Sequence, residues 1–338
     1  MKIAVVIPCR NEIRNIEECI DAIYASDLPV DSRLIVNVVD GISNDGTLEL
    51  LESLQKKYSE LQIIRNEKQL TPYAFNLGIY ATKDADFYQI IGARQIVSPN
   101  YLKKAIESLQ NDSNIWCVGG KVTNVYLNKE SKMIAQAMGT SFGMGLGNFR
   151  TLHESGFVDT VGTPMYPAWV FEKIGYFDEE LIRNQDDDFN FRVIKAGGKI
   201  LYNNDIALKY YVRGSISQLW KQFMQYGYWK VYVNKKHKAV TTLRQLVPPL
   251  FVLFLMLIPF LFLINSLIGF IGLSFLGIYI LLGLLVTGKI AESITEFNRI
   301  FIIFPILHIS YGWGYLKGIM TFLVANRKPG DRYKKMSR

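Results

Sequence analysis

The chain has 338 residues, 49% of them hydrophobic, and a net charge of +8; that length suits one large domain or two small ones. The hydrophobic excess gathers after residue 245, which excludes a uniformly soluble chain. Basic residues cluster beside those apolar stretches, so an anionic membrane surface explains them better than a nucleic acid does. Three cysteines, Cys9, Cys19 and Cys117, lack CxxC spacing. With no secretory signal at the N-terminus, they are expected as reduced cytosolic thiols.

The chain opens with a buried-strand pattern, Lys2 to Ile7, broken at Pro8-Cys9-Arg10-Asn11-Glu12. Ile16, Cys19, Ile20 and Ile23 then share a helical face. A second strand, Leu34 to Val39, ends at Asp40-Gly41, and the turn Ile42 to Thr47 leads into a helix from Leu48 to Lys57. A third strand, Leu61 to Ile64, precedes a helix opened by Thr71-Pro72. A fourth strand is Phe87 to Ile91; Ser98-Pro99-Asn100 starts another helix; Trp116 to Gly120 is a fifth strand. This alternation predicts a parallel sheet with right-handed crossovers and a ligand site beyond the carboxyl ends of its strands. No GxGxxG or GxxxxGK[ST] follows the first strand, which argues against a dinucleotide oxidoreductase and a P-loop enzyme. Asp40, at a strand end, can serve a ribose or base, or simply the turn.

Residues Asn124 to Leu152 mix a helical pattern, Met133, Ala135, Met138 and Phe142, with a glycine-rich loop from Gly139 to Gly147, and the boundary stays open. A helix from Trp169 to Ile174 follows; packing explains Trp169 and Phe171 as well as sugar stacking does. Next comes Gln185-Asp186-Asp187-Asp188-Phe189-Asn190-Phe191-Arg192. Phe189, Val193 and Ala196 are spaced for one helical face, and Gly197-Gly198 stops the helix. The three acids therefore sit at a helix N-terminus, favoured by the dipole. One acid would cap; three adjacent acids repel unless something uses them, and a carboxylate at a site's mouth suits a general base. Two short strands, Lys199–Tyr202 and Ile206–Tyr211, lead to a helix capped at Ser215 or Ser217 and running to about Asn234.

The segments Val6-Ile7-Pro8-Cys9-Arg10-Asn11-Glu12, Val39-Asp40-Gly41 through Thr47, and the Asp186 stretch resemble the inverting family-two glycosyltransferases of the GT-A fold, in particular membrane-associated enzymes of exopolysaccharide assembly of the succinoglycan type. The resemblance implies an α/β nucleotide-sugar-binding fold with a mostly parallel central sheet. It implies that Pro8, Glu12 and Asp40 contact the nucleotide, and Arg10, Asn76, Gly92 and Arg94 are expected on the same donor side. Asp186 matches the catalytic aspartate. Gln185 stands where the family usually has glutamate, and is expected with Asp159 and Asp188 on the acceptor side. Gln225-Tyr226-Gly227-Tyr228-Trp229 partly echoes the Gln-x-x-Arg-Trp signature of processive polymerases, which places Gln225 and Trp229 by the acceptor; an interfacial anchor is the other reading of Trp229. Processive polymerases usually carry spans before the catalytic domain, and this chain is not expected to be one.

The usual metal-binding Asp-x-Asp is replaced by Gly92-Ala93-Arg94. Asp84-Ala85-Asp86 lies at the other end of that strand, roughly 20 Å away at about 3.3 Å per residue. A divalent cation, Mg or Mn, is therefore expected to matter little, with Arg94 helping to hold the diphosphate; the competing reading makes Arg94 a surface residue and leaves a metal to Asp187 or Asp188 and the donor.

The aromatic and basic composition of 214–245 suggests an interfacial helix. From Leu246 to Lys289 there is room for two spans of about 20 residues each. Ile300 to Val324, with Pro305, His308 and Lys317, is expected as a re-entrant or interfacial segment, because spanning would export the basic tail. The expected organisation is thus 1–213 catalytic, 214–245 interfacial, 246–288 two spans, and 289–338 a third apolar segment and tail. The chain is expected to transfer sugar from a nucleotide-diphosphate sugar to a polyprenyl-linked glycan at the inner membrane, with both termini cytoplasmic. A polyprenyl-phosphate sugar synthase and an inactive scaffold of the same fold are the alternatives.

Overall fold

A computed structural model describes residues 1–145, 152–212 and 214–329. Gly147 of the glycine-rich stretch, the expected boundary at Arg213, and Arg332, Lys334, Lys335 and Arg338 of the tail lie outside the described residues. The chain divides into two compact units, Met1–Val125 with Leu152–Tyr211, and Tyr126–Thr151 with Val212–Arg338.

The first unit is a sheet covered by helices. Its parallel half comprises β1 (Lys2–Cys9), β2 (Arg33–Asp40), β3 (Leu61–Arg65) and β4 (Phe87–Ile90), in the order β3-β2-β1-β4. The helices between them are α1 (Ile16–Tyr24), α2 (Thr47–Lys57) and α3 (Thr71–Tyr80). β1 is buried on both faces, which is why it reads as a continuous apolar run. Ile3, Val5 and Ile7 pack in one core with the α1 stripe Ile16, Cys19, Ile20 and Ile23. Val6 points the other way, onto α3, where a Cβ on Gly78 would lie 2.3 Å from its Cγ1.

Past β4 the sheet becomes mixed. A short β5 (Gln95–Val97) precedes α4 (Tyr101–Asn111), the long β6 (Ile115–Tyr126), β7 (Gly156–Val158), β8 (Met165–Pro167), α7 (Ala168–Ile174), α8 (Gln185–Lys195) and β9 (Lys199–Val212). β8 runs antiparallel to β4, and β9 antiparallel to β5 and β7. β9 is one strand where two were expected. The polar break Asn203-Asn204-Asp205 does not turn the chain, because side-chain bonds keep it extended: Asn203 donates to Ser108 Oγ (3.0 Å) and Asn204 N–H to Ser155 Oγ (2.9 Å).

The second unit is helical. α5 (Lys129–Met138) opens with a capping box between Asn128 and Ser131, and α6 (Ser141–Met144) lies inside the stretch expected as a glycine-rich loop, so the helical reading extends into it. α9 (Ile216–His237), capped by Ser215, is followed by α10 (Val247–Ile264), α11 (Ser266–Ile290) and α12 (Ile294–Gly318), which continues as a π-helix through Val324. Among the described residues, three helical stretches, of 22, 25 and 31 residues, are long and apolar enough to cross a membrane. α10 and α11 form an antiparallel hairpin, with Gly269 against Phe262 and Tyr279 against Phe251. α9 runs parallel to α12: a Cβ on Gly314 would touch the Met224 carbonyl, one on Gly318 the Tyr228 carbonyl, and Lys235 donates to the Phe322 carbonyl (2.7 Å). Small residues let these two backbones approach closely.

Gly78→Val should lower the thermal midpoint, because Val6 sits on a central strand and cannot retreat; overpacking of this kind costs about 1–3 kcal/mol. Gly156→Ala, where nothing lies within 4 Å of the added carbon, should leave the midpoint unchanged. Circular dichroism melts of the two variants in detergent check the pair.

Candidate active site

β1 and β2 end side by side, Pro8 opposite Val39 and Cys9 opposite Asp40. The two loops that follow are sewn together. Asp40, 3% exposed, accepts from the Ser43 N–H (2.9 Å) and hydroxyl (2.5 Å). Ser43 Oγ in turn accepts from the Asn11 N–H (2.9 Å), and Asn11 Oδ1 from the Asn44 N–H (2.9 Å). The Glu12 N–H reaches Thr47 Oγ1 (2.9 Å). Asn11 and Ile42 adopt positive φ, 55° and 59°, as this crossing requires. Arg10 lies over Gly41, where an added Cβ would meet its Cδ at 3.3 Å. Burial pushes the Cys9 thiol well above its usual range, with Asp40 and Glu12 adding to the effect, so Cys9 stays protonated and is no nucleophile.

The end of β4 joins the same edge through an ion pair. Arg94 Nε donates to Glu12 Oε2 at 2.7 Å, with the side chains 19% and 8% exposed. Asn15 donates to the same oxygen (3.0 Å). Arg94 is therefore not a surface arginine. Gly92 has both backbone polar groups engaged within the protein: its N–H meets Gln95 Oε1 (2.5 Å), and its carbonyl accepts from the Cys19 thiol (3.7 Å). Pro8, Arg10, Glu12, Asp40, Gly92 and Arg94 thus gather at one edge.

Asn76 does not. It is 2% exposed on α3. It donates to the Phe177 carbonyl (2.9 Å) and Glu179 (3.0 Å), and accepts from the Phe177 N–H (3.0 Å). Its amide clamps the loop that leads into α8. Asp188 is likewise turned inward. It is fully buried and paired with Arg192 Nε (3.0 Å), whose other nitrogens donate to the carbonyls of Ile174, Gly175 and Tyr176. That places Asp188 within the fold, out of reach of solvent. Asn190 completes the frame, donating to Thr160 Oγ1 (3.0 Å), one residue from Asp159, and accepting from Tyr166 OH on β8 (3.1 Å). Phe171, Phe177 and Phe189 stack beneath, so Phe171 is core.

Asp186 stands on this frame. It is exposed, in the first turn of α8, and its Oδ1 accepts from the Asp187 N–H (3.0 Å). Beside it, Gln185 Oε1 is buried with no hydrogen-bond partner within the protein. Trp169 lies elsewhere: β8 pairs Met165 with Gln89 and Pro167 with Phe87, so α7 starts at the amino edge of the sheet. There Trp169 packs on Trp116 at 5.0 Å. Asp84 and Asp86 sit at that edge too, both bound to Lys2. Gln225 and Trp229 belong to the second unit; Trp229 is 1% exposed, edge-on to Tyr228 and Tyr232.

Residues 1–242 match the family described as glycosyltransferase like family 2. The chain belongs to that family. It is a glycosyltransferase. It is similar, at 31% identity over 95% of this chain and 99% of the relative, to a dolichyl N-acetyl-alpha-D-glucosaminyl phosphate 3-beta-D-2,3-diacetamido-2,3-dideoxy-beta-D-glucuronosyltransferase of Methanococcus voltae. It is 26% identical to the succinoglycan biosynthesis protein ExoA of Rhizobium meliloti, over 72% of this chain and 73% of that one. The mannosyltransferase PcManGT from Pyrobaculum calidifontis, solved with GDP-Man and Mn2+, shares the fold at a TM-score of 0.55 and 14% identity, covering 98% of this chain and 76% of that one. Staphylococcus aureus TarS shares it at 0.50 and 20% identity; the match covers 67% of this chain and 39% of that one. The fold is accordingly GT-A.

At the end of β4 no carboxylate is available to an ion like the Mn2+ of PcManGT. Gly92 has no carboxylate, Glu12 is committed to Arg94 and Asn15, and Asp188 to Arg192. Among the described residues no three His, Cys, Asp or Glu side chains come together to hold a metal.

Arg192→Leu should destabilise the first unit by about 3–5 kcal/mol, since Asp188 then loses its cation while buried. Chemical unfolding followed by tryptophan fluorescence, for wild type and variant, checks this.

Proposed function

We propose that the chain is an inverting glycosyltransferase. It moves a hexosyl group from a nucleotide-diphosphate sugar to a lipid-linked glycan, in extracellular or capsular polysaccharide assembly. The observation that carries this reading is Asp186: an exposed carboxylate at the start of a helix held by Arg192 and Asn190, with Asn76 clamping the loop that leads into it. The acceptor hydroxyl oxygen attacks the anomeric carbon from the side opposite the diphosphate. Asp186 takes the hydroxyl proton as the new bond forms; the bond from that carbon to the phosphate oxygen breaks, and the nucleoside diphosphate leaves with the electron pair. One displacement inverts the configuration. Gln185 Oε1, buried and unpaired, suits a donor on the incoming acceptor. Asp40 serves the nucleotide through the loop it shapes with Ser43, as well as through its own carboxylate. The dolichyl-linked name of the Methanococcus relative supports a lipid-linked acceptor.

Asp186→Asn should lower kcat by roughly 10²–10⁴ while leaving nucleotide affinity within a few-fold. Sugar transfer by the purified variant, with calorimetry on the nucleotide, measures both. Near-normal turnover would favour an acceptor that is already an anionic phosphate and needs no base.

The reading extends to the membrane. α10 and α11 form a hairpin through the inner membrane, and α12 lies at its cytoplasmic face with α9. The parallel packing supports this, because α9 carries Gln225, Lys230 and Asn234, too polar for a lipid core, along the length of α12. Both termini are then cytoplasmic. A reporter fused after Arg338 should signal from the cytoplasm; a signal from the far side would make α12 a third span.

A further inference from the structure

The mismatch between this edge and a metal ion has a positive counterpart in the Glu12–Arg94 pair. Arg94 follows β4 at the strand end where ligands meet such sheets. Its Nε is fixed on Glu12 at 2.7 Å, and Glu12 is itself 8% exposed and held by Asn15. An arginine has five N–H donors in a rigid fork. With Nε anchored, the two terminal nitrogens carry the other four, in one plane. Such a fork matches a phosphate in two bonds. The anchoring also removes rotamer freedom before any ligand arrives, so less is lost on binding. Gly92 offers no carboxylate at the strand end, and its own polar groups are turned to Gln95 and Cys19. Arg10, crossing Gly41 on the neighbouring loop, supplies a second guanidinium at the same edge.

We propose that Arg94, aimed by Glu12, takes the place of a divalent cation in binding the donor's diphosphate, with Glu12 a positioning residue rather than a nucleotide ligand. This rests on the nucleotide-sugar reading above. No bond to the sugar is made or broken by Arg94; it neutralises charge on the oxygens that the leaving group carries away.

The test uses the full chain in detergent and calorimetry with UDP, GDP, CDP and dTDP, and with the matching monophosphates. Wild type should bind its diphosphate equally well in excess EDTA and in Mn2+. Arg94→Ala should weaken diphosphate binding about 10- to 100-fold, the size of a lost charged hydrogen bond. It should also collapse the diphosphate-to-monophosphate affinity ratio, which general damage to the fold would leave in place. Glu12→Gln, which keeps an acceptor on Nε, should preserve most of that ratio, and Glu12→Ala should lower it. If Arg94→Ala does not fold, Arg94→Lys and the EDTA comparison on wild type decide. Diphosphate binding that requires Mn2+, or an unchanged ratio in the Arg94 variants, overturns the inference and leaves the glycosyltransferase reading intact. Failure of every diphosphate to bind, with or without Mn2+, overturns the inference and the donor assignment together.

Discussion

The hydrogen bonds joining the loop after β1 to the loop after β2 govern the carboxyl edge of the sheet. Asp40 holds Ser43, Ser43 holds Asn11, and Asn11 holds Asn44. Without them Ile42, a β-branched residue at φ 59°, would relax, since such a conformation costs about 1–3 kcal/mol. Asn11 tolerates φ 55° more readily, its short side chain bonding locally. The strain is sustained because the strands beneath are among the most buried in the chain. Glu12 emerges from this knot already oriented, and Arg94 takes its orientation from Glu12. A site built this way holds its shape before a ligand enters, so ordering costs little on binding.

The other half of the site is made rigid by different means. α8 and the loop that leads into it have three ties to separate parts of the first unit: the loop to α3 through Asn76, and the helix to the end of α7 through Arg192 and to β8 through Asn190. A carboxylate in the first turn of a helix so held moves little, and placement of a reacting group is worth several kcal/mol of barrier. The aromatic stack of Phe171, Phe177 and Phe189 fills the space beneath, so the polar ties are shielded from water. Asp188 and Arg192 fix from within the fold the helix whose first turn carries Asp186.

The parallel half of the sheet was legible because β1 and β2 are buried on both faces and read as apolar runs, β2 broken only by Asn37, between clear amphipathic helices. The later strands were not. β5, β7 and β8 have three residues each, too few for any period to show, and β9 crosses a polar triplet whose partners lie far away in sequence. At the site, the strand-end position of Asp40, Glu12 and Gly92 could be read from the alternation alone. The roles of Asn76 and Asp188 could not, because a buried amide or acid looks the same in sequence whether it meets a ligand or a distant carbonyl. Asn11 and Ser43 look like ordinary turn residues in sequence, and only the bond between them and the one from Asn44 to Asn11 distinguish them.

The second unit is discontinuous in sequence, and this bears on how the protein can be produced. α5 and α6 are encoded in the middle of the catalytic segment, yet Met133, Ile134 and Ala137 share their core with Leu219, Phe223, Ile300, Ile303, Phe304 and Leu307, and Phe142 packs against it. Lys132 also binds Glu292 and Glu296, and Gln136 the Ile290 carbonyl, at the turn between α11 and α12. A stop codon placed after β9 would therefore not yield a clean water-soluble enzyme. It would strip the cover from an apolar face that the remaining chain still carries, inviting aggregation. A soluble version needs residues 126–151 recoded or looped out as well, and any genetic fragmentation of this protein has to keep the two distant segments together.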